Sequence, residues 1–506
     1  MRTRLNQFGV LFAISALMLS ACGGSTVTPS PSAGTSTAPS TEAPGSIAAT
    51  ASPSSGPTAI PTVPPGGPVT IKWFCCLGGG DDPSTLKTFA QLVTAFNASH
   101  PNIKLILDHV AYAGARDTFA TELASGNGPD IVGPLGVGGA NAFQGQWLDL
   151  SPYIARDKID LSQFDQGAVD LYKSGGQGQL GLPFAIYPSE LYYQPDMFDE
   201  AKLDYPPATY GSQYKMPDGT MADWNYDTVR QVAMKLTVDK NGKDATDPAF
   251  DPKHIVQYGF EPQRDDLRTM GAAFFAKGKF LSDDGKTVQI PDAWAAAWKW
   301  VYNGIWADHF IETNSVWAST EFAGGGYTFN SGKVAMQENY LWDVCCVTDA
   351  GGNWDLGALP SYNGTVTAPI NADTFRITKS SKHPDEAWTV MSYLILGEAR
   401  TKLLNSISGF PAIKADQSSY FTGLEQQKDD KGKPISPPQV NWQVAIDAIP
   451  LADIDPNSES YMPAYNKSLD TLGKYLTRWT STPGLTMDDE FAKLKAELQT
   501  VWNTAQ

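Results

Sequence analysis

Charge is scarce in this chain and basic charge scarcer: 18% of residues are charged, with 37 Lys and Arg against 54 Asp and Glu, a net of −17. A general nucleic-acid binder needs clustered cations to meet the phosphates, so this balance argues against that class. Histidine is rarer still. The five (His100, His109, His254, His309, His383) stand apart, without the paired spacing of a zinc site, and no metal or cofactor is expected. Beyond the N-terminus no apolar run reaches about 18 residues, so no later segment reads as a membrane span. Catalytic signatures are also thin. Ser84 to Lys87 has the Ser-x-x-Lys spacing of penicillin-binding enzymes, but the companion motifs are missing and Ser84 reads as a helix N-cap. Asp453, Asp455, Asn457 and Glu459 alternate like the start of a calcium loop, without its glycine or closing glutamate.

What is present begins with an export signal. Arg2 and Arg4 precede an apolar run from Phe8 to Leu19, too short for a span and shaped like a signal peptide. Its ending, Leu19-Ser20-Ala21-Cys22, resembles the bacterial lipobox, which implies cleavage after residue 21 and a lipidated Cys22. Residues 22–67 then form a Ser/Thr/Pro/Gly tether with Glu42 as its only charge, unable to bury enough surface to fold. As a flexible coil it would span about 40 Å. The expected location is the cell surface, anchored to the outer face of the cytoplasmic membrane, or the periplasm where an outer membrane exists.

The body is globular: 42% of the chain is apolar, and 14 Trp, 20 Tyr and 22 Phe supply a large core. Strand and helix signals alternate from Val69. Val69–Phe74 reads as a strand, Leu86, Phe89, Val93 and Phe96 as a helix face ending at Pro101, and Ile103–Leu107 as the next strand. A helix over 116–124 and a strand at Asp130–Val132 follow. The alternation predicts an α/β fold, with an open, largely parallel sheet covered on both faces. Ligands bind such sheets beyond the carboxyl ends of the strands, which directs attention to the loops at 74–82 and 133–139. Further on, Leu182–Phe184 and Leu191–Tyr193 read as short strands around a turn. Val229, Val232, Ala233 and Leu236 mark one helix face, Ala293–Trp306 a Trp-rich helix and Asp488–Trp502 a terminal amphipathic helix.

Several stretches share one order and spacing: Leu123-Ala124-Ser125-Gly126 with Pro129-Asp130-Ile131, Leu148-Asp149-Leu150-Ser151-Pro152-Tyr153, and Gly181-Leu182-Pro183. Phe329-Asn330-Ser331-Gly332-Lys333-Val334-Ala335-Met336 with Trp342, Gly357-Ala358-Leu359-Pro360 and Gly409-Phe410-Pro411-Ala412 continue the series. Behind a lipobox, this set resembles the substrate-binding lipoproteins of bacterial ABC importers, in the sugar-binding group that includes maltose-binding protein. The resemblance implies a two-lobed periplasmic-binding-protein-like fold: lobe 1 from 68–183 and 370–405, lobe 2 from 184–369 and 406–506. Hinge crossovers are expected near 180–185 and 363–370. It implies a non-catalytic monomeric receptor that captures a carbohydrate between the lobes and delivers it to a membrane permease.

The resemblance also places ligand contacts. Trp342 falls where the maltose-type proteins stack a tryptophan, and a flat indole suits the C–H face of a pyranose. Tyr187 falls at a polar contact, Glu261 at a carboxylate that bonds sugar hydroxyls, and Tyr461 and Tyr465 are further stacking candidates. The sequence departs from the maltose pattern at Cys75-Cys76-Leu77, expected to line the cleft, and at 133–138. Those departures point away from maltose itself. Four cysteines besides Cys22 form two adjacent pairs, Cys75-Cys76 and Cys345-Cys346. An exported protein meets oxidising conditions, and three disulfide pairings are possible. We expect a vicinal bond within each pair on opposite cleft walls; cross-links between pairs and free thiols stay open. Two rival functions stay open as well: an exported glycan hydrolase, needing paired carboxylates, and a ferric iron receptor using Tyr192 and Tyr193. Adjacent strand residues point to opposite faces, which disfavours the iron reading.

Overall fold

The structure is a computed structural model describing residues 68–174, 176–325, 328–345, 347, 353–426, 437, 440–453 and 462–504. Cys22, the tether, Tyr461, Cys346, the Cys345 side chain and most of the candidate calcium segment lie outside the described residues. No described helix is long and apolar enough to cross a membrane.

Lobe 1 opens with β1 (Val69–Cys75), α1 (Pro83–Ser99), β2 (Ile103–His109), α2 (Tyr112–Ala124), β3 (Ile131–Leu135) and α3 (Val137–Ala142). β1 pairs in parallel with both β2 and β3, as the alternation predicts. The cap of α1 is Asp82 and not Ser84: its carboxylate accepts the N–H groups of Ser84 and Thr85 at 3.0 and 2.9 Å. Pro83 takes the first helical position, where its missing N–H costs nothing, and so sets the cap one residue before itself. The helix buries Thr85, Phe89, Leu92 and Phe96, a face rotated slightly from the expected one but pinned by the same two phenylalanines.

Lobe 2 is built around β4 (Ala185–Tyr193), α4 (Tyr226–Leu236), α5 (Asp292–Trp306), β5 (Met336–Tyr340) and β6 (Asp355–Gly357). The expected turn between two short strands is absent, because β4 runs unbroken through Pro188, which sits opposite Ile370. In α4 the four predicted positions are all buried, and Asn225 caps it through the N–H groups of Asp227 and Thr228. The chain returns through β7 (Ala368–Ile377), then α6 (Pro384–Ile395) on lobe 1, and ends in α7 (Tyr465–Ser481) and α8 (Met487–Asn503) on lobe 2.

The strand order is β5-β4-β7-β3-β1-β2, with β6 also on β4. β7 pairs antiparallel with β4 at its start and with β3 at its end, so the crossing strands make the sheet mixed and not largely parallel. Each lobe keeps its own core. One gathers Trp73, Phe89, Phe375 and Trp388; the other gathers Trp224, Trp294, Trp298 and Trp479. A third cluster packs Phe164–Tyr172 and Trp354 together with residues of 410–452 on the crossing strands.

Candidate functional site

The two glycine loops singled out by strand polarity do converge. The loop after β1 and the loop after β3 meet through the Gly136 N–H donating to the Leu77 carbonyl at 3.2 Å. Between them stands Asp373 of β7, accepting the Gly79 N–H at 3.3 Å. A Cβ on Gly78 would come 3.0 Å from that carboxylate, so the loop lies against it as only glycine can. Burial raises the Asp373 carboxyl to about 6, with the Gly79 hydrogen bond opposing.

Next to Asp373 the crossing strands carry an aromatic line. Tyr187 lies opposite Asn371, and its ring meets Trp342 edge-on at 5.3 Å. Trp342 also packs 4.3 Å from the Tyr340 ring and stays half-buried, leaving part of its indole accessible. Burial, with Asp373 and Tyr172 nearby, raises the Tyr187 hydroxyl well above its usual range. The Tyr172 hydroxyl is buried beside Asp373 and has no hydrogen-bond partner among the described residues. Arg376 completes the line. Its guanidinium stacks 5.5 Å from the Trp147 ring and 5.9 Å from that of Tyr172, with neither ion pair nor hydrogen bond among the described residues. Burial pulls it down to about 10. A nine-tenths buried, unpaired cation is costly unless something polar meets it. Asp373 and Arg376 went unread in the sequence because polar residues inside an apolar strand look like its solvent face, and Tyr172 because it lies in a turn with no motif around it.

Tyr465 begins α7 and lies 9% exposed, with its hydroxyl 3.9 Å from where a Gly138 side chain would start. Thus α7 of lobe 2 reaches α3, just after the β3 loop, across the cleft. A cavity of about 460 Å³ opens beside this contact, lined by Asn141 and Gln144 from lobe 1 and by Met462, Tyr465 and Asn466 from lobe 2.

Other expectations need correction. Cys75 and Cys76 are fully buried in the lobe 1 core with their sulfurs in contact, and Leu77 packs inward against Leu135. The segment leaves no sulfur surface for a ligand, because both cysteine side chains are enclosed by the lobe 1 core that holds Trp73 and Phe89. Glu261 is 1% exposed and faces away from solvent; its two oxygens accept the N–H groups of Thr328 and Phe329 at 3.2 and 3.0 Å. It fastens the start of the Phe329–Met336 stretch. Burial, reinforced by neighbouring Glu312 and opposed by Arg264, raises it to about 8. Tyr192 and Tyr193 are engaged separately, donating to the Tyr340 carbonyl and to Asp355, and so do not converge on one ion. Among the described residues no group of three or more metal-ligating side chains comes together.

Comparison with known proteins agrees with this architecture. A Streptomyces antibioticus protein described as an uncharacterized lipoprotein in the oleD 5′ region is 23% identical over 340 residues, 65% of this chain and 67% of that protein. Among solved structures, a Listeria monocytogenes ABC substrate-binding protein in complex with cycloalternan superposes with a TM-score of 0.61 at 18% identity, covering 85% of this chain and 98% of that one. The sugar-binding protein MalE from Xanthomonas citri gives 0.63 at 17% identity over 86% and 98%. At such identities the likeness establishes the two-lobed fold. A family model described as bacterial extracellular solute-binding protein matches residues 91–421, from within α1 through both crossing strands and back onto lobe 1. With its glycine loops meeting at the foot of a two-lobed cleft, the chain belongs to the bacterial extracellular solute-binding protein family.

Proposed function

We propose that the protein is the surface receptor of an ABC importer, capturing a carbohydrate between its lobes and handing it to a membrane permease. The observation that carries this reading is Trp342: a half-buried indole held by Tyr187 and Tyr340, with Asp373 of the crossing strand β7 close to Tyr187. The exposed part of the indole meets the C–H face of a pyranose, while Asp373 accepts from its hydroxyls and Arg376 and Tyr172 donate to them. The sugar-binding descriptions of the structural neighbours support the ligand class. β4 and β7 serve as the hinge, because they are the strands shared by the two lobes. The receptor acts as a monomer tethered through a lipidated Cys22, with Cys75 and Cys76 bonded to each other inside the lobe 1 core.

A thermal-shift screen of the mature chain against mono- and oligosaccharides, with chromatography of the sugars afterwards, tests the reading. At least one sugar should raise the melting temperature and be recovered unchanged. Cleaved product would instead favour a glycan hydrolase, and no shift across the panel would remove carbohydrate as the ligand class.

A further inference from the structure

A second concavity lies away from the Asp373–Trp342 line. Its volume is about 510 Å³, within the roughly 300–1,000 Å³ of small-molecule sites, and every lining residue belongs to lobe 2. A ligand gripped between lobes would need both, so this is a separate place. One wall is a continuous run of rings: Tyr362 to Phe275 at 4.4 Å, Phe275 to Tyr226 at 4.2 Å, and Tyr226 to Trp300 at 5.4 Å. The run is held from behind. The Tyr226 hydroxyl donates to buried Glu338 at 2.5 Å, and the Trp300 indole N–H donates to the Tyr226 carbonyl at 3.2 Å. Trp300 and Tyr362 remain partly exposed at the two ends of the wall.

The rim supplies acceptors. Asp223 and Asp227 are exposed; Asp223 accepts only a long 3.3 Å bond from Gln213, and Asp227 has no side-chain partner among the described residues. No Lys, Arg or His lines the pocket. Arg230, one turn along α4, is held by both oxygens of Asp308 at 2.6 Å and also feels the Asp227 charge. Two exposed carboxylates on the rim, with no cation lining the pocket, disfavour an anionic occupant, and the ring wall needs an apolar face to cover. A neutral pyranose satisfies both: its C–H face lies on the rings while vicinal hydroxyls donate to the carboxylates.

We propose that this lobe 2 pocket is a second carbohydrate site, able to hold one or two sugar units. The proposal stands independently of the cleft reading. It is tested on the mature chain carrying ¹⁵N-labelled tryptophan, titrated with maltotriose and with the methyl glycosides of glucose, galactose and mannose. The Trp300 indole signal reports the pocket and the Trp342 signal reports the cleft. In a Trp342→Ala variant the Trp300 signal should still move and saturate, and Asp223→Asn with Asp227→Asn should weaken that response about tenfold while the fold persists. A Trp300 signal that stays still while Trp342 moves would overturn the second site and leave the cleft intact. Movement of Trp300 alone would do the reverse, and stillness of both would reject both. A Trp300 response unaltered by the two Asp substitutions would also overturn the proposal.

Discussion

Arg376 shows how magnitudes decide a role at the scale of one residue. Two cation–π contacts contribute about 0.5–2 kcal/mol each, against several kcal/mol for burying an unpaired charge. The stacking therefore leaves a deficit that a ligand oxygen can offset. Arg376→Met keeps the volume and removes the charge, so the variant should melt no lower than the parent while binding the screened sugar about tenfold more weakly. Lower stability with unchanged affinity would make Arg376 a packing residue. Trp342→Ala loses a stacked ring worth roughly 1 kcal/mol or more, and calorimetry should show affinity weakened about tenfold with the fold intact. Unchanged affinity would return Trp342 to the core. The sequence made Trp342 legible because an aromatic follows a recognisable run at fixed spacing. Asp373 and Tyr172 were not legible: only the return of the chain through β7 brings Asp373 beside a residue some two hundred positions earlier. Glu261 was legible as a carboxylate but not as a buried one, since nothing local announces that two backbone N–H groups will close over it.

At the scale of elements, lobe 2 buries an unusual share of carboxyl groups on and around β5. Burial raises Glu338 and Glu261 to about 8 and Asp343 to about 7. Each value lies above that of the unfolded chain, so the folded state holds protons that the unfolded state has released. Their contribution to stability is fully present below about pH 4 and is lost as pH rises through about 8. Melting temperature should therefore fall between pH 5.5 and 8.5. Glu338→Gln should flatten that fall, because a neutral amide oxygen still accepts the Tyr226 hydroxyl without titrating. A parent protein that melts higher at pH 8.5, or a variant with the same slope, would contradict this. Elements with strong periodicity, such as α4 and the start of lobe 1, were readable from the sequence. Pro188 hid the length of β4, because proline signals a break while its pairing with Ile370 is a tertiary fact.

At the scale of the whole molecule, family membership and two lobes sharing crossing strands describe a device that traps a solute and is presented at a surface. Cys22→Ser should release the exported protein into the soluble or secreted fraction; retention at the membrane would mean that another segment anchors it. The lobes should close on a bound sugar, because β4 and β7 are the strands they share and Tyr465 of one already approaches Gly138 of the other. Small-angle scattering of the mature chain, recorded with and without a saturating amount of the sugar selected by thermal shift, tests it most directly. The radius of gyration should be smaller with sugar bound. An identical profile at saturation would contradict capture by closing lobes.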